Sequence, residues 1–202
     1  MQPRRGILGL LVLALACAIG PARASPAGPA PSLAVEAIDA GRGAAVSAAI
    51  RVRAPPDALW RVLTSCAEAL RVVPRLRACV VQRSAADGSW QQIREVVGWS
   101  WYLPQVSYVV RADYRAHTSI EFAQISGDLA LLRGRWLLQR DGSETVAHYS
   151  FEVVPRFWVP GWLLRLELRR DLPRMLQALR ERAESASSGE GEERGAAAGR
   201  GR

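Results

Sequence analysis

The stretch from Pro160 to Glu184 constrains the chain more than any other. It is the one segment beyond the N-terminal leader whose apolar residues keep helical spacing over several turns. Leu164, Leu168, Leu172, Met175 and Leu179 step by three or four and share one face, while Arg165, Arg169, Arg174, Arg180 and Arg182 fall largely off it. Pro160-Gly161 suits a helix entry, and Pro173 predicts a kink in the turn before it. Residues 44–155 read mostly as strand. A long amphipathic helix after a run of strands is accommodated by lying across the sheet and covering its apolar face. The fold class is therefore α+β, and the space between helix and sheet is the place to look for function.

The strands can be read in order. Val46, Ala48, Ile50 and Val52 alternate with Ser47, Arg51 and Arg53, and an extended segment over Leu33 to Ala40 precedes them, turning at Gly41-Arg42-Gly43. Pro55-Pro56-Asp57 opens a short helix reaching Cys66, and a second runs from Ala67 to Val73 before Pro74. Strands follow over Cys79–Ser84, Trp90–Val97, Gln105–Arg115, Thr118–Ile125, Leu129–Arg140 and Thr145–Val154, with Asp87-Gly88 and Asp141-Gly142 as hairpin turns. A turn at Asp141-Gly142 pairs Arg140 with Ser143, so that Trp136 faces Ala147, Gly134 faces Tyr149 and Leu132 faces Phe151 on one apolar face. Val106, Tyr108, Val110, Ala112 and Tyr114 share a face, continued by Ile120 and Phe122. No single register places Val80, Val81, Ile93 and Val96 together.

The ends of the chain read differently. Arg4-Arg5, an apolar run from Ile7 to Ile19, a Gly20-Pro21 break and Ala22-Arg23-Ala24 form a secretory signal peptide over residues 1–24, with cleavage after Ala24. The competing reading is an uncleaved membrane anchor, and Arg4-Arg5 also bears a weak likeness to a twin-arginine leader. The expected location is the periplasm or beyond. Residues 25–43 form a Pro/Ala/Gly-rich linker and possible extended segment, residues 44–184 the folded domain, and residues 185–202 a tail expected to be disordered. The net charge is +8, carried entirely by Arg because the chain has no Lys. The Arg residues are scattered among acids with no basic run, which argues against a nucleic-acid partner. Cys17 leaves with the leader, so Cys66 and Cys79 remain as an even pair in an oxidising compartment. A helix–turn–strand path can bring them to disulfide distance. Two buried free thiols is the alternative.

The order of strand, two short helices, six strands and a long helix, with APPDALWRVLTSC, RVVPRLRACVV, ISGDLALLRGRWLLQ and LRRDLPRMLQALRERA, resembles the START-related SRPBCC superfamily. Its nearest branch is that of polyketide cyclase/dehydrase and coenzyme Q-binding START-type domains. The resemblance covers about Val46 to Glu184. It implies a helix-grip fold, in which a curved antiparallel sheet of about seven strands wraps the C-terminal helix around a deep apolar cavity. It also implies a lipid-like or polycyclic ligand.

On that frame the expected ligand cavity is lined by Tyr108, Tyr114, Phe122, Trp136, Tyr149 and Phe151 from the sheet and Leu164, Leu168, Leu172 and Met175 from the helix. Two aromatic clusters, Trp99, Trp101 and Tyr102 in one connection and Trp158 and Trp162 in another, are expected at the cavity mouth or against a membrane; the plainer reading makes them core caps. Catalytic signatures are thin. His117 and His148 lack neighbours at metal spacing, no metal site or cofactor is expected, and there is no G-x-S-x-G, phosphate loop or dinucleotide fingerprint. Among Glu95, Glu121 and Glu152, the register puts Glu152 outside and leaves Glu95 unplaced. The expectation is a monomeric carrier of a hydrophobic small molecule (lipid, quinone or polyketide-like ring) with transient membrane contact. The alternative is a cyclase or dehydrase using cavity polar groups, and a filled-core interaction domain is the third possibility.

Overall fold

In the computed structural model, residues 32–98 and 104–199 are described. Strands β1 (Ser32–Ile38) and β2 (Gly43–Val52) flank a short 3-10 turn. Helices α1 (Pro56–Leu63) and α2 (Cys66–Val72) come next, then β3 (Leu76–Ser84), β4 (Trp90–Val97), β5 (Val106–Arg115), β6 (Ser119–Gly127), β7 (Leu129–Asp141), β8 (Glu144–Pro155) and α3 (Gly161–Gly199). The eight strands form one antiparallel sheet in the order β1-β2-β8-β7-β6-β5-β4-β3. The eighth strand is the Leu33 segment, which pairs fully with β2. Only β2 and β8 are joined out of sequence, and α1 and α2 carry the chain from that junction to the far edge at β3.

The local chemistry fits these elements. Pro56 starts α1 where its missing N–H costs nothing. The Ser65 hydroxyl accepts a 3.4 Å bond from the Glu68 N–H, the outward half of a Ser-x-x-Glu capping box. This makes Cys66 the first residue of α2 and not the end of α1, because Thr64 closes α1 by bonding back to Trp60. Cys66 and Cys79 form a disulfide with a Cα separation of 5.3 Å, joining α2 to β3. With a sequence separation of only thirteen, the bridge contributes about 3 kcal/mol at most. Unreduced, denatured protein should show no titratable thiol from this pair, whereas two thiols would refute the bridge.

The β7–β8 hairpin corrects the sequence register by two residues. Asp141 pairs with Glu144, so the turn is Gly142-Ser143, with Gly142 at φ +63° in the first turn position. Trp136 therefore faces Tyr149, Gly134 faces Phe151 and Leu132 faces Val153. A two-residue shift keeps every side chain on its face, because the strand period is two. Gly134 is required here: a Cβ would meet the Ser150 carbonyl, Phe151 Cβ and the Phe122 ring. In the first hairpin, irregularities between Leu76 and Ala78 and between Val81 and Arg83 explain why no single register served.

Helix α3 lies across the sheet. Leu164, Leu172, Leu176, Leu179 and Ala183 are buried, and Leu168 and Met175 are half-buried. The helix is continuous through Pro173 and continues past Glu184 to Gly199, beyond where the sequence reading ends it. Ion pairs pin it at three levels. Arg75 meets Glu167 at 2.7 Å, Arg182 meets Glu68 of α2 at 2.7 Å, and Arg53 meets Glu184 at 3.3 Å, its backbone N–H also donating to that carboxylate at 2.9 Å. No helix among the described residues is long and apolar enough to cross a membrane.

Candidate functional site: an aromatic cavity with one central carboxylate

A cavity of about 300 Å³ lies between α3 and the sheet. Alternation in each strand decides what it meets. β5 contributes Val106, Tyr108, Val110, Ala112 and Tyr114; β6 contributes Ile120 and Phe122; β7 and β8 contribute Trp136, Tyr149 and Phe151. Leu168, Leu172, Met175 and Leu179 come from α3, and Val72, Val73 and Pro74 close the corner after α2. Trp136 and Tyr149, cross-strand partners, stack with ring centroids 4.0 Å apart, and Phe151 follows at 5.1 Å. They form a flat aromatic wall.

Nine of the ten residues expected around the cavity line it. The exception is Leu164, which lies nearer the start of α3, fully buried in the packed core with Val35, Ala44 and Val153. The expected mouth residues are placed differently. Trp158 is 86% exposed and Trp162 63% exposed, and neither lines the cavity; both stand on the outer surface where the chain enters α3. Trp99, Trp101 and Tyr102 lie outside the described residues.

The residue the sequence left unplaced is the one at the centre. Glu95 shares the cavity face of β4 with Ile93 and Val97, and its direct cross-strand neighbour is Tyr108. The Tyr108 hydroxyl donates to the Glu95 carboxylate. Glu95 is walled in by protein but keeps surface toward the hollow. Burial raises its pKa above the ordinary glutamate value, and the Tyr108 bond only partly offsets this. Its charge is felt by all three cavity tyrosines. Burial, with Glu95 adding to it, lifts Tyr114 to about 12 and Tyr108 and Tyr149 further. The phenols therefore hold their protons at neutral pH and serve as hydrogen-bond donors. The Tyr114 hydroxyl donates to Gln91 at 3.0 Å.

A second polar group sits where α3 meets the α2–β3 corner. Glu167 and Asp171 line the cavity and face the Arg75 guanidinium at 2.7 and 3.5 Å. Arg75 adopts φ +63°, a left-handed conformation that turns the chain from Pro74 into β3. Burial raises the Asp171 pKa while Arg75 pulls it down.

The remaining titratable candidates lie elsewhere. His117 pairs with Asp57 at 2.9 Å and lies beside the Trp60 ring, and His148 bonds Gln139 at 3.3 Å. Glu152 pairs with Arg133 on the outer face of the sheet, as the register requires. No group of three or more His, Cys, Asp or Glu among the described residues is arranged to hold a metal ion.

An antiparallel sheet closed by one long helix over an apolar hollow defines a helix-grip, START-like domain. The profile of the polyketide cyclase / dehydrase and lipid transport family matches residues 52–180, and the chain belongs to that family. Among solved structures, the STAR-related lipid transfer protein from Xanthomonas axonopodis superposes with a TM-score of 0.65 at 16% identity, covering 76% of this chain and 98% of that one. Human STARD10 gives 0.63 at 13%, covering 79% and 71%. The Zhui aromatase/cyclase from Streptomyces sp. R1128 gives 0.57 at 16%, covering 72% and 94%. At these identities the likeness is one of fold. No curated protein matches the chain in sequence.

Proposed function

We propose that the protein is an exported, monomeric carrier of a hydrophobic small molecule (a lipid, quinone or polyketide-like ring) held between α3 and the sheet. The observation that carries this reading is the hollow itself: about 300 Å³ walled by Tyr, Phe, Trp and Leu where a packed core would otherwise stand. Well-packed interiors leave few voids larger than a water molecule, whereas small-molecule pockets begin at about this size. Each ligand CH₂ moved from water into such a wall gains about 0.8 kcal/mol. The leader over residues 1–24 and the Cys66–Cys79 bridge support export to an oxidising compartment.

The outer surface supports a membrane as the place of exchange. Trp158, Trp162 and Leu166 are spaced by four and are 86, 63 and 54% exposed; Arg165 lies among them in the chain, Arg156 just before and Arg169 and Arg170 just after. Trp favours the water–lipid boundary and Arg favours anionic headgroups. The test is extraction of a pyrene-labelled hydrophobe from anionic vesicles. Trp158→Ser with Trp162→Ser should slow transfer at least about fivefold while leaving the melting temperature within a degree or two, since neither ring is part of the core. Unchanged transfer would remove the membrane contact from the account. Absence of uptake by the unmodified protein would remove the carrier.

A cyclase or dehydrase is the second reading, and Glu95 with Tyr108 is the observation that favours it. A carboxyl raised toward neutrality beside a phenol is suited to proton transfer. Turnover of a polyketide-like substrate, lost in Glu95→Gln, would establish it.

A further inference from the structure

The charge inside the cavity has one sign. Among the described residues its lining includes Glu95, Glu167 and Asp171 and no Arg or His, and the chain has no Lys. Two of the three carboxylates face the Arg75 guanidinium. Glu95 does not: its partner is the Tyr108 hydroxyl, and no cation contributes to its electrostatics. A carboxylate enclosed in an aromatic wall without a counter-ion is costly to keep ionised. Around it stand the π-faces and edges of Tyr108, Tyr114 and Tyr149, each close enough to feel its charge, with Trp136 stacked behind Tyr149. Aromatic faces attract cations, and the attraction strengthens when water is excluded. A positively charged group entering here would gain both the rings and the one carboxylate lacking a counter-ion, whereas an anionic group would meet three acids.

We propose that Glu95 is the anchor for a cationic head group, so that the cavity selects hydrophobic molecules carrying a protonated amine or ammonium over neutral or acidic ones. This rests on the carrier reading above and narrows its ligand class. Tyr108 is a positioning residue, because its hydroxyl bonds the Glu95 carboxylate from the neighbouring strand.

The probes are 1-naphthylmethylamine, 1-naphthalenemethanol and 1-naphthoate, which share one ring system and differ in head charge. Calorimetric titration of the full chain at pH 7 should rank amine over alcohol over acid, the amine at least about tenfold tighter than the alcohol. Glu95→Gln keeps the shape and removes the charge. It should weaken the amine about thirtyfold and move the alcohol by less than about threefold. Below pH 7 the amine should lose affinity in the unmodified protein, as the Glu95 carboxyl takes up a proton, while the alcohol holds level. The other groups facing the cavity are Tyr108, Tyr114 and Tyr149, which stay protonated across that range, and Glu167 and Asp171 against Arg75. The amine-over-alcohol ranking needs no variant, so equal binding of the two overturns the proposal even if Glu95→Gln fails to fold. Equal binding of amine and alcohol, or an amine preference that survives Glu95→Gln, would overturn the proposal and leave the carrier reading standing. Binding of none of the three would overturn both.

Discussion

Replacing Arg75 with Leu is expected to destabilise the domain by about 3–5 kcal/mol at pH 7. Glu167 is nearly fully buried and Asp171 is mostly buried, and both face the Arg75 guanidinium at 2.7 and 3.5 Å. Removing that charge takes away the nearest cation from two adjacent acids at the α3–β3 junction and leaves Asp171 only the more distant Arg170 and Arg174. The backbone does not confound the comparison, because Leu meets the same left-handed strain at φ +63° that Arg already carries. The sign of the pH dependence follows. Burial and the Glu167 charge already hold the folded-state Asp171 carboxyl above its unfolded value, and loss of the guanidinium pushes it higher. The native state then binds more protons than the unfolded state, and stability increases as pH falls through the folded pKa value. The deficit should therefore be largest at pH 7 and shrink toward pH 5. Urea unfolding of the two proteins at both pH values checks this. A deficit below about 1 kcal/mol, or one that does not change with pH, would show that the pair behaves like an exposed surface bridge.

Met175→Trp should separate the cavity from the fold. Met175 is half-buried, packs against the residues on both sides of the hollow, and lines it. A larger ring there has about 300 Å³ to grow into, so the usual cost of overpacking should stay below about 1.5 kcal/mol. The ligand loses that space. Displacing three or four CH₂ equivalents at about 0.8 kcal/mol each weakens a hydrophobic ligand by roughly a hundredfold. Thermal unfolding and titration with a fluorescent hydrophobe measure the two effects on the same sample. Full affinity in a stable Met175→Trp protein would place the ligand elsewhere.

Much of this architecture is legible in the sequence because period and face survive local errors. The stripe from Leu168 to Leu179 puts α3 on the sheet, and β5 alternation puts Tyr108, Tyr114 and their neighbours inside. The β7–β8 register can slip by two without moving Trp136 or Tyr149 to the other face. The features less easily read depend on contacts that no period encodes. Glu95 is hidden from sequence because irregularities in β3 obscure the pairing of the first hairpin; the signal that finds it is the alternation Ile93-Glu95-Val97 set against Tyr108. Leu164 keeps the helical spacing yet packs solidly, since whether a stripe residue meets a void or a neighbour depends on how the sheet opens along its length. Leu176 is buried beside the stripe and is missed by a narrow reading of it. The Arg75–Glu167–Asp171 cluster joins segments some ninety residues apart through a left-handed turn, for which Pro74 is only a partial hint. Trp158 and Trp162 stand out by type, but whether they cap the core or face outward depends on contacts that no period encodes.

The most direct test of a ligand-holding hollow is native mass spectrometry of the protein purified without detergent. The expected result is a population heavier by one hydrophobic molecule, released on denaturation, and absent from Met175→Trp prepared in the same way. Protein at its bare chain mass, which also takes up no added hydrophobe, would contradict it.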